Sequence, residues 1–238
     1  MATTTIARYL SRYTMENLCA RIFERHASRI KVKKRHVAVA NLERIVEAFL
    51  TLANGKGFHK TSLRDLAEES GLSMGGLYSY FDSKETLLLM VLAEVEAAIV
   101  DILSQAPEDV TKDPRDHLRW VIEAHIRLTE VMQPWFFFVY MEAKAFPKSA
   151  KTAAIEGELV AERILADILA RGISNGFFRK IDAHLASAII KPMLQDWYVK
   201  RSKYRKRGTS VDVYIDAVSC FVICSLDCSF PEKGRPHY

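Results

Sequence analysis

The sequence predicts an all-α protein: an N-terminal three-helix unit containing a helix-turn-helix, followed by a larger α-helical domain. Three observations carry this. Apolar residues recur with the helical period from Lys84 to the C-terminal region, and no alternating strand pattern competes. Between Ser62 and Phe81 the chain reads as two short helices joined by a glycine turn. The breakers Pro107, Pro114, Pro134, Pro147, Gly172 to Gly176 and Gly208 fall between periodic stretches. A chain of 238 residues is long enough for two cores, so the expected division is 1–36, a basic extension that is partly helical; 37–99, the motif-bearing domain; and 100–238, a helical domain.

In the extension, Met15, Leu18, Cys19, Ile22, Phe23, His26 and Ile30 keep helical spacing, and Arg21, Arg25 and Arg29 form a separate ridge. A helix packed on the protein body is the first reading; contact with nucleic acid or with a membrane surface are the alternatives. Residues 1–36 hold nine Lys/Arg against two Asp/Glu, a net +7, which leaves −2 for the rest of a chain whose total is +5. The positive charge is in the arm. A further helix is expected to begin near residues 37 to 41.

Ser62 with Asp65 three residues on places a capping oxygen and a carboxylate where a helix start needs them. Leu63, Leu66 and Ala67 share one face, Gly71 supplies a left-handed terminator, Leu72 plugs the turn, Ser73 caps the second helix, and Leu77 with Phe81 returns an apolar face to the first. Lys84 opens the next helix, where the macrodipole disfavours a cation unless an anion such as a phosphate is bound there. Lys84 and the Tyr78 hydroxyl are therefore expected on a DNA backbone. Residues 37–90 carry five basic against seven acidic side chains, so phosphate neutralisation by the motif alone is weak. Lys31, Lys33, Lys34 and Arg35 could supply it, along a phosphate strand or in a minor groove; a disordered solubilising tail is the alternative.

The ordered set Arg44-Ile45-Val46, Gly57-Phe58, Thr61-Ser62, Asp65-Leu66-Ala67, Gly71-Leu72-Ser73, Leu77-Tyr78, Tyr80-Phe81 and Ser83-Lys84-Glu85 resembles the TetR family of transcriptional regulators over about residues 39 to 99. The resemblance implies an all-helical homodimeric repressor that binds a double-stranded DNA operator and whose C-terminal domain takes a small effector. It implies phosphate contacts at Ser62, Tyr78 and Lys84, and base or groove contacts at Ser73, Met74, Gly75, Ser79 and Tyr80. Gly76 departs from the family pattern, which commonly has a hydroxyl residue there. Adjacent glycines also remove side chains that could read base edges.

The C-terminal region is expected to form helices near 83–104, 114–132, 134–146, 148–174, 182–204 and 210–228. The stretch from Trp135 to Met141 is apolar on every side, so it is expected to be enclosed. Trp120, His125, Met132, Trp135, Phe138, Tyr140, Glu142, Phe177 and Met193 are candidates to line a cavity for a small hydrophobic or acyl-type effector; a filled aromatic core is the alternative. Pro192 lies inside a predicted helix and must kink it. Trp197 and Tyr198 are expected at a subunit interface, since the resemblance implies a homodimer through the last two helices. The basic run from Lys200 to Arg207 reads as a solvated helix end, with a coenzyme A phosphate site as the alternative.

Cys220, Cys224 and Cys228 recur every four residues and share a helix face, which disfavours a disulfide within the helix. The spacing matches no standard zinc pattern, and small cysteines on a buried face are the plainer reading; metal binding, redox sensing and pairing across subunits on oxidation are the alternatives. No metal or cofactor is expected. The first twenty residues hold Arg8, Arg12 and Glu16 rather than an apolar core, so a cytoplasmic location is expected and a membrane partner is not. No paired nucleophile and base or phosphate-cradling glycine loop points to an enzyme. The expected function is a repressor released from its operator by a small effector. The alternative is an architectural or co-regulatory DNA-binding protein with a filled core and no effector.

Overall fold

The computed structural model describes residues 2–227, and among them every regular element is a helix. They form two compact units, residues 2–101 with 128–160 and residues 102–127 with 161–227. Helices α8 (Pro114–Val131) and α10 (Lys148–Ser174) supply residues to both, so the units do not follow a single cut between residues 99 and 100.

The first unit opens with α1 (Ala2–Leu10) and α2 (Met15–Arg25), the latter started by the Thr14 hydroxyl accepting from the Asn17 N–H. Leu18, Cys19 and Ile22 of α2 are buried, as are Leu42, Ile45, Val46 and Phe49 of α3 (Arg35–Lys56). The arginine ridge of α2 has a specific task. Arg21 and Arg25 reach the fully buried carboxylate of Glu94 on α6 (Lys84–Leu103) at 2.6 and 2.9 Å. Tyr13 donates to Asp101 at 2.8 Å on the same helix. Burial pushes the Glu94 carboxyl upward even with both guanidiniums beside it, so the clamp depends on both partners remaining in place.

The motif helices are α4 (Leu63–Ser70) and α5 (Met74–Leu77). After them come α9 (Gln133–Glu142) and a 3-10 turn (Ala143–Ala145). Trp135, Phe136 and Phe138 are buried, but Tyr140 and Met141 are exposed. The expectation that the whole apolar segment is enclosed therefore fails at its C-terminal end, where α9 stops at Glu142 rather than running to 146.

The second unit contains α7 (Glu108–Lys112), the first part of α8, the latter part of α10, α11 (Ala183–Val199), α12 (Arg201–Lys206) and α13 (Val211–Leu226). The helix expected over 182–204 is two helices. Asp196 accepts from Lys200 and Lys203, each at 2.7 Å, and from the Tyr204 hydroxyl, which draws the following turn back around α11. Trp197 stacks on Tyr204 at 5.4 Å between ring centroids and meets Tyr214 at 4.9 Å. Trp197 and Tyr198 are thus core residues of this unit, against the expectation of a subunit interface. The long apolar residues left exposed on the last helices are Leu185, Ile189, Val213 and Phe221. Cys220 and Cys224 are exposed rather than buried, and Cys228 lies outside the described residues.

Candidate functional site

The motif is built by local capping. The Ser62 hydroxyl accepts from the Asp65 N–H at 3.1 Å while the Asp65 carboxylate accepts from the Ser62 N–H at 2.8 Å, a reciprocal capping box. Lys56 adds an ion pair to Asp65 at 2.8 Å, and with the Ser62 bonds it holds that carboxyl well below its ordinary range. Gly71 ends α4 in the left-handed region at φ 65°, and a Cβ there would stand 2.6 Å from Arg44 Nη2, which donates to the Gly71 carbonyl. Ser73 caps α5 through the Gly76 N–H at 3.0 Å. The recognition helix is then only four residues long. Two consecutive glycines lower its helix propensity by about 1 kcal/mol each relative to alanine.

The structure sorts the expected DNA contacts. Ser62, Ser73, Met74, Gly75 and Tyr78 are exposed, Tyr78 at 43 %, and Ser79 is half-buried with its hydroxyl donating back to the Gly75 carbonyl at 3.1 Å. Tyr80 does not belong to this set. It is 2 % exposed, its hydroxyl accepts from Asn41 Nδ2 at 2.9 Å, and burial raises its pKa.

Lys84 also departs from expectation. Its ammonium donates to the carbonyls of Phe58 and Thr61 at 2.8 and 2.7 Å and lies 4.2 Å from the centroid of the Phe58 ring. Two of its three donors therefore tie α6 to the loop before α4, and carbonyl dipoles supply the negative potential expected from a phosphate. Burial lowers its pKa.

The arm is folded rather than free. Lys33 Nζ donates to the carbonyls of Ala27 and Ile30 at 3.0 and 2.8 Å, and Arg35 pairs with Glu24 at 3.1 Å. Lys31 is fixed by its backbone, whose N–H donates to the Ser79 carbonyl at 2.8 Å just past the recognition helix. The exposed side chains of Lys31 and Lys34 remain candidates for phosphate contact. Lys60 and Arg64, exposed on either side of Ser62, were missed; a count of basic residues around the cap would have found them. On another side of the motif, Glu47, Glu68 and Glu69 line a recess with Arg44, and that side repels phosphate.

The expected ligand set does not stay together. Met132, Trp135, Phe138, Tyr140 and Glu142 belong to the first unit, whereas Trp120, His125, Phe177 and Met193 belong to the second. Phe138 meets Phe49 at 5.1 Å and Phe146 at 5.4 Å, and Phe58 meets Phe146 at 5.5 Å, so this aromatic group is packed core. Glu142 accepts from the Phe58 N–H at 2.7 Å. Tyr140 is exposed. In the second unit Phe177 lies against Arg115, and the Met193 carbonyl accepts from the Tyr214 hydroxyl at 2.6 Å. Trp120 and His125 are buried, and so are Ser187, Lys191 and Gln195, which recur at successive turns of α11.

Residues 45–91 match the family model described as bacterial regulatory proteins of the tetR family, and residues 111–201 match a tetracycline-repressor-like C-terminal domain. The solved structure of PfmR, a TetR family transcriptional regulator from Thermus thermophilus, is 30% identical, with a TM-score of 0.59, over 77% of this chain and 97% of that one. YerO of Bacillus subtilis, an uncharacterized HTH-type transcriptional regulator, is 30% identical over 184 residues, 65% of this chain and 63% of the relative; the chain thus spans less than two thirds of that relative's length. FadR of Bacillus subtilis, solved in complex with stearoyl-CoA, shares the fold at 18% identity and a TM-score of 0.61, over 77% of this chain and 98% of that one. With this helix-turn-helix and matches to both the N-terminal and C-terminal family models, the protein belongs to the TetR family of bacterial regulatory proteins.

Proposed function

We propose that the chain is a DNA-binding transcriptional repressor, acting as a homodimer and released from its operator by a small hydrophobic or acyl-type effector. The capped motif with its exposed surface of Ser62, Met74, Gly75 and Tyr78, joined to Lys31 through Ser79, carries the DNA reading. A dimer sets two such helices in successive major grooves, about 34 Å apart. The apolar stripe of Leu185 and Ile189 on α11 and Val213 and Phe221 on α13 is the surface offered to the second copy, since water contact at 58 to 67 % exposure is costly for side chains this large.

For the effector, the relevant groups lie in the second unit. The indole N–H of Trp120 is buried without a hydrogen-bond acceptor among the described residues, and Lys191 brings a buried positive charge within electrostatic reach of His125. Such a setting suits a molecule with an apolar body and an anionic or carbonyl end. The stearoyl-CoA complex of FadR supports an acyl compound as the first class to test.

Titrating the protein into labelled genomic fragments, with and without an acyl-CoA panel, tests the proposal. Sequence-selective binding reversed by a panel member is the expected result. Binding with the same affinity to every fragment would sink the regulator reading, and selective binding indifferent to all acyl compounds would remove the effector class alone.

A further inference from the structure

Cys220 and Cys224 stand one turn apart on the exposed face of α13 with their Sγ atoms 3.8 Å apart. That spacing is far too long for a disulfide, whose sulfurs lie about 2.05 Å apart. It does fit a metal. A tetrahedral ion with metal–sulfur bonds of about 2.3 Å spans about 3.8 Å between two of its ligands.

Two thiols fill only half of such a coordination shell. Asp216 and Glu123 line the same recess as the pair, but Glu123 is held by Arg127 at 2.7 Å, and among the described residues no group of three or more ligating side chains forms a metal site. The other two ligands must come from another molecule. Both thiols share the exposed face of α13 with Val213 and Phe221, the stripe assigned above to a second copy, and they lie in the C-terminal half of that helix. A two-fold contact brings the same patch of each subunit together, so it delivers an identical pair of thiols to the same place.

We propose that Cys220 and Cys224 of two copies jointly hold one tetrahedral thiophilic divalent cation of the Zn2+ type at the dimer face. The proposal rests on the homodimer reading. On binding, each of the four thiols gives up its proton and donates a sulfur lone pair; no electron is transferred. Four thiolates and one divalent ion leave a charge of −2, and Arg119, which lines the recess beside the pair, is placed to offset part of it. The ion would fasten α13 of one copy to α13 of the other, giving the dimer a metal input separate from the effector.

The test uses the full chain, freed of metal and kept reduced, titrated with Co2+ as a spectroscopic probe. Visible bands of tetrahedral cobalt with sulfur-to-metal charge transfer are expected, ending at one Co2+ per two chains and displaced by Zn2+. Cys220→Ser and Cys224→Ser should each abolish that spectrum, while Cys228→Ser keeps it. No tetrahedral spectrum, an endpoint of one ion per chain, bands surviving in either of the first two variants, or loss in the third would each overturn the shared site. Light scattering separates the two readings. A metal-free dimer lacking cobalt bands removes the site alone, and a monomer at every metal level removes the dimer reading together with it.

Discussion

Tyr78 stands alone among the aromatic residues of the motif, with its side chain in solvent, whereas Tyr80 two positions later is locked to Asn41 inside the fold. Tyr78→Phe is expected to weaken operator binding almost equally across operator sequences, by about 1 to 2 kcal/mol, as for one lost hydrogen bond to a charged group. Fluorescence anisotropy on a set of single-base operator variants checks this, and a loss confined to one base position would contradict the phosphate role. Lys84→Met should instead lower thermal stability as well as binding, because the Phe58 and Thr61 carbonyls lose their donor. A separate pH effect belongs to His117: burial of its ring and the neighbouring Arg171 guanidinium lower its pKa to about 4. The unfolded chain, with the ordinary value of about 6.5, binds this proton first. The stability this group contributes is therefore complete above about pH 6.5 and falls as pH drops toward 4. Thermal melts from about pH 7 to about pH 4 should show that decline, and it should be smaller in His117→Gln.

The recognition helix and the N-terminal helices set the limits at the level of elements. A Cβ added at Gly75 meets nothing closer than Ser73 Oγ at 4.0 Å, whereas one at Gly76 meets the same oxygen at 3.3 Å. Gly75→Ala should therefore raise unfolding stability by roughly 0.5 to 1 kcal/mol through helix propensity, read by urea denaturation. Gly76→Ala crowds the Ser73 cap and should gain less. The extension is a structural part of the first unit, and deleting it would strand Glu94, so removal of residues 1–36 confounds DNA affinity with folding. Arg21→Ala with Arg25→Ala should destabilise the protein by about 3 to 5 kcal/mol, the cost of leaving a buried charge without its partners. The cleaner test of phosphate contact is Lys31→Ala with Lys34→Ala. This pair should leave the melting temperature unchanged and make operator affinity less dependent on salt; an unchanged salt slope would exclude the arm from the interface.

For the whole molecule, all three tryptophans, Trp120, Trp135 and Trp197, are buried and lie outside the motif, so intrinsic fluorescence should report effector binding without DNA. A change on acyl-CoA addition that saturates in step with operator release is expected. The helix-turn-helix was legible because its information is local: Ser62, Asp65, Gly71 and Ser73 each act within four residues along the chain. The ligand candidates were not, since membership of one cavity depends on where helices dock, and Phe138 met Phe49 and Phe146 instead. The same limit explains Lys84. Its place at a helix start could be inferred from the sequence, but its carbonyl partners come from a loop 23 and 26 residues earlier.

By itself, then, the sequence determined the all-helical class, the caps and turn of the motif, and the concentration of positive charge ahead of it, because helical period, capping chemistry and charge are carried by neighbouring residues. Only the tertiary structure decided that the basic arm is folded onto Glu94 and Ser79, that Tyr80 and Trp197 are core, and that Cys220 and Cys224 face outward. Those outcomes depend on which helix faces find a partner. That choice is settled by long-range burial and pairing, which no local pattern encodes.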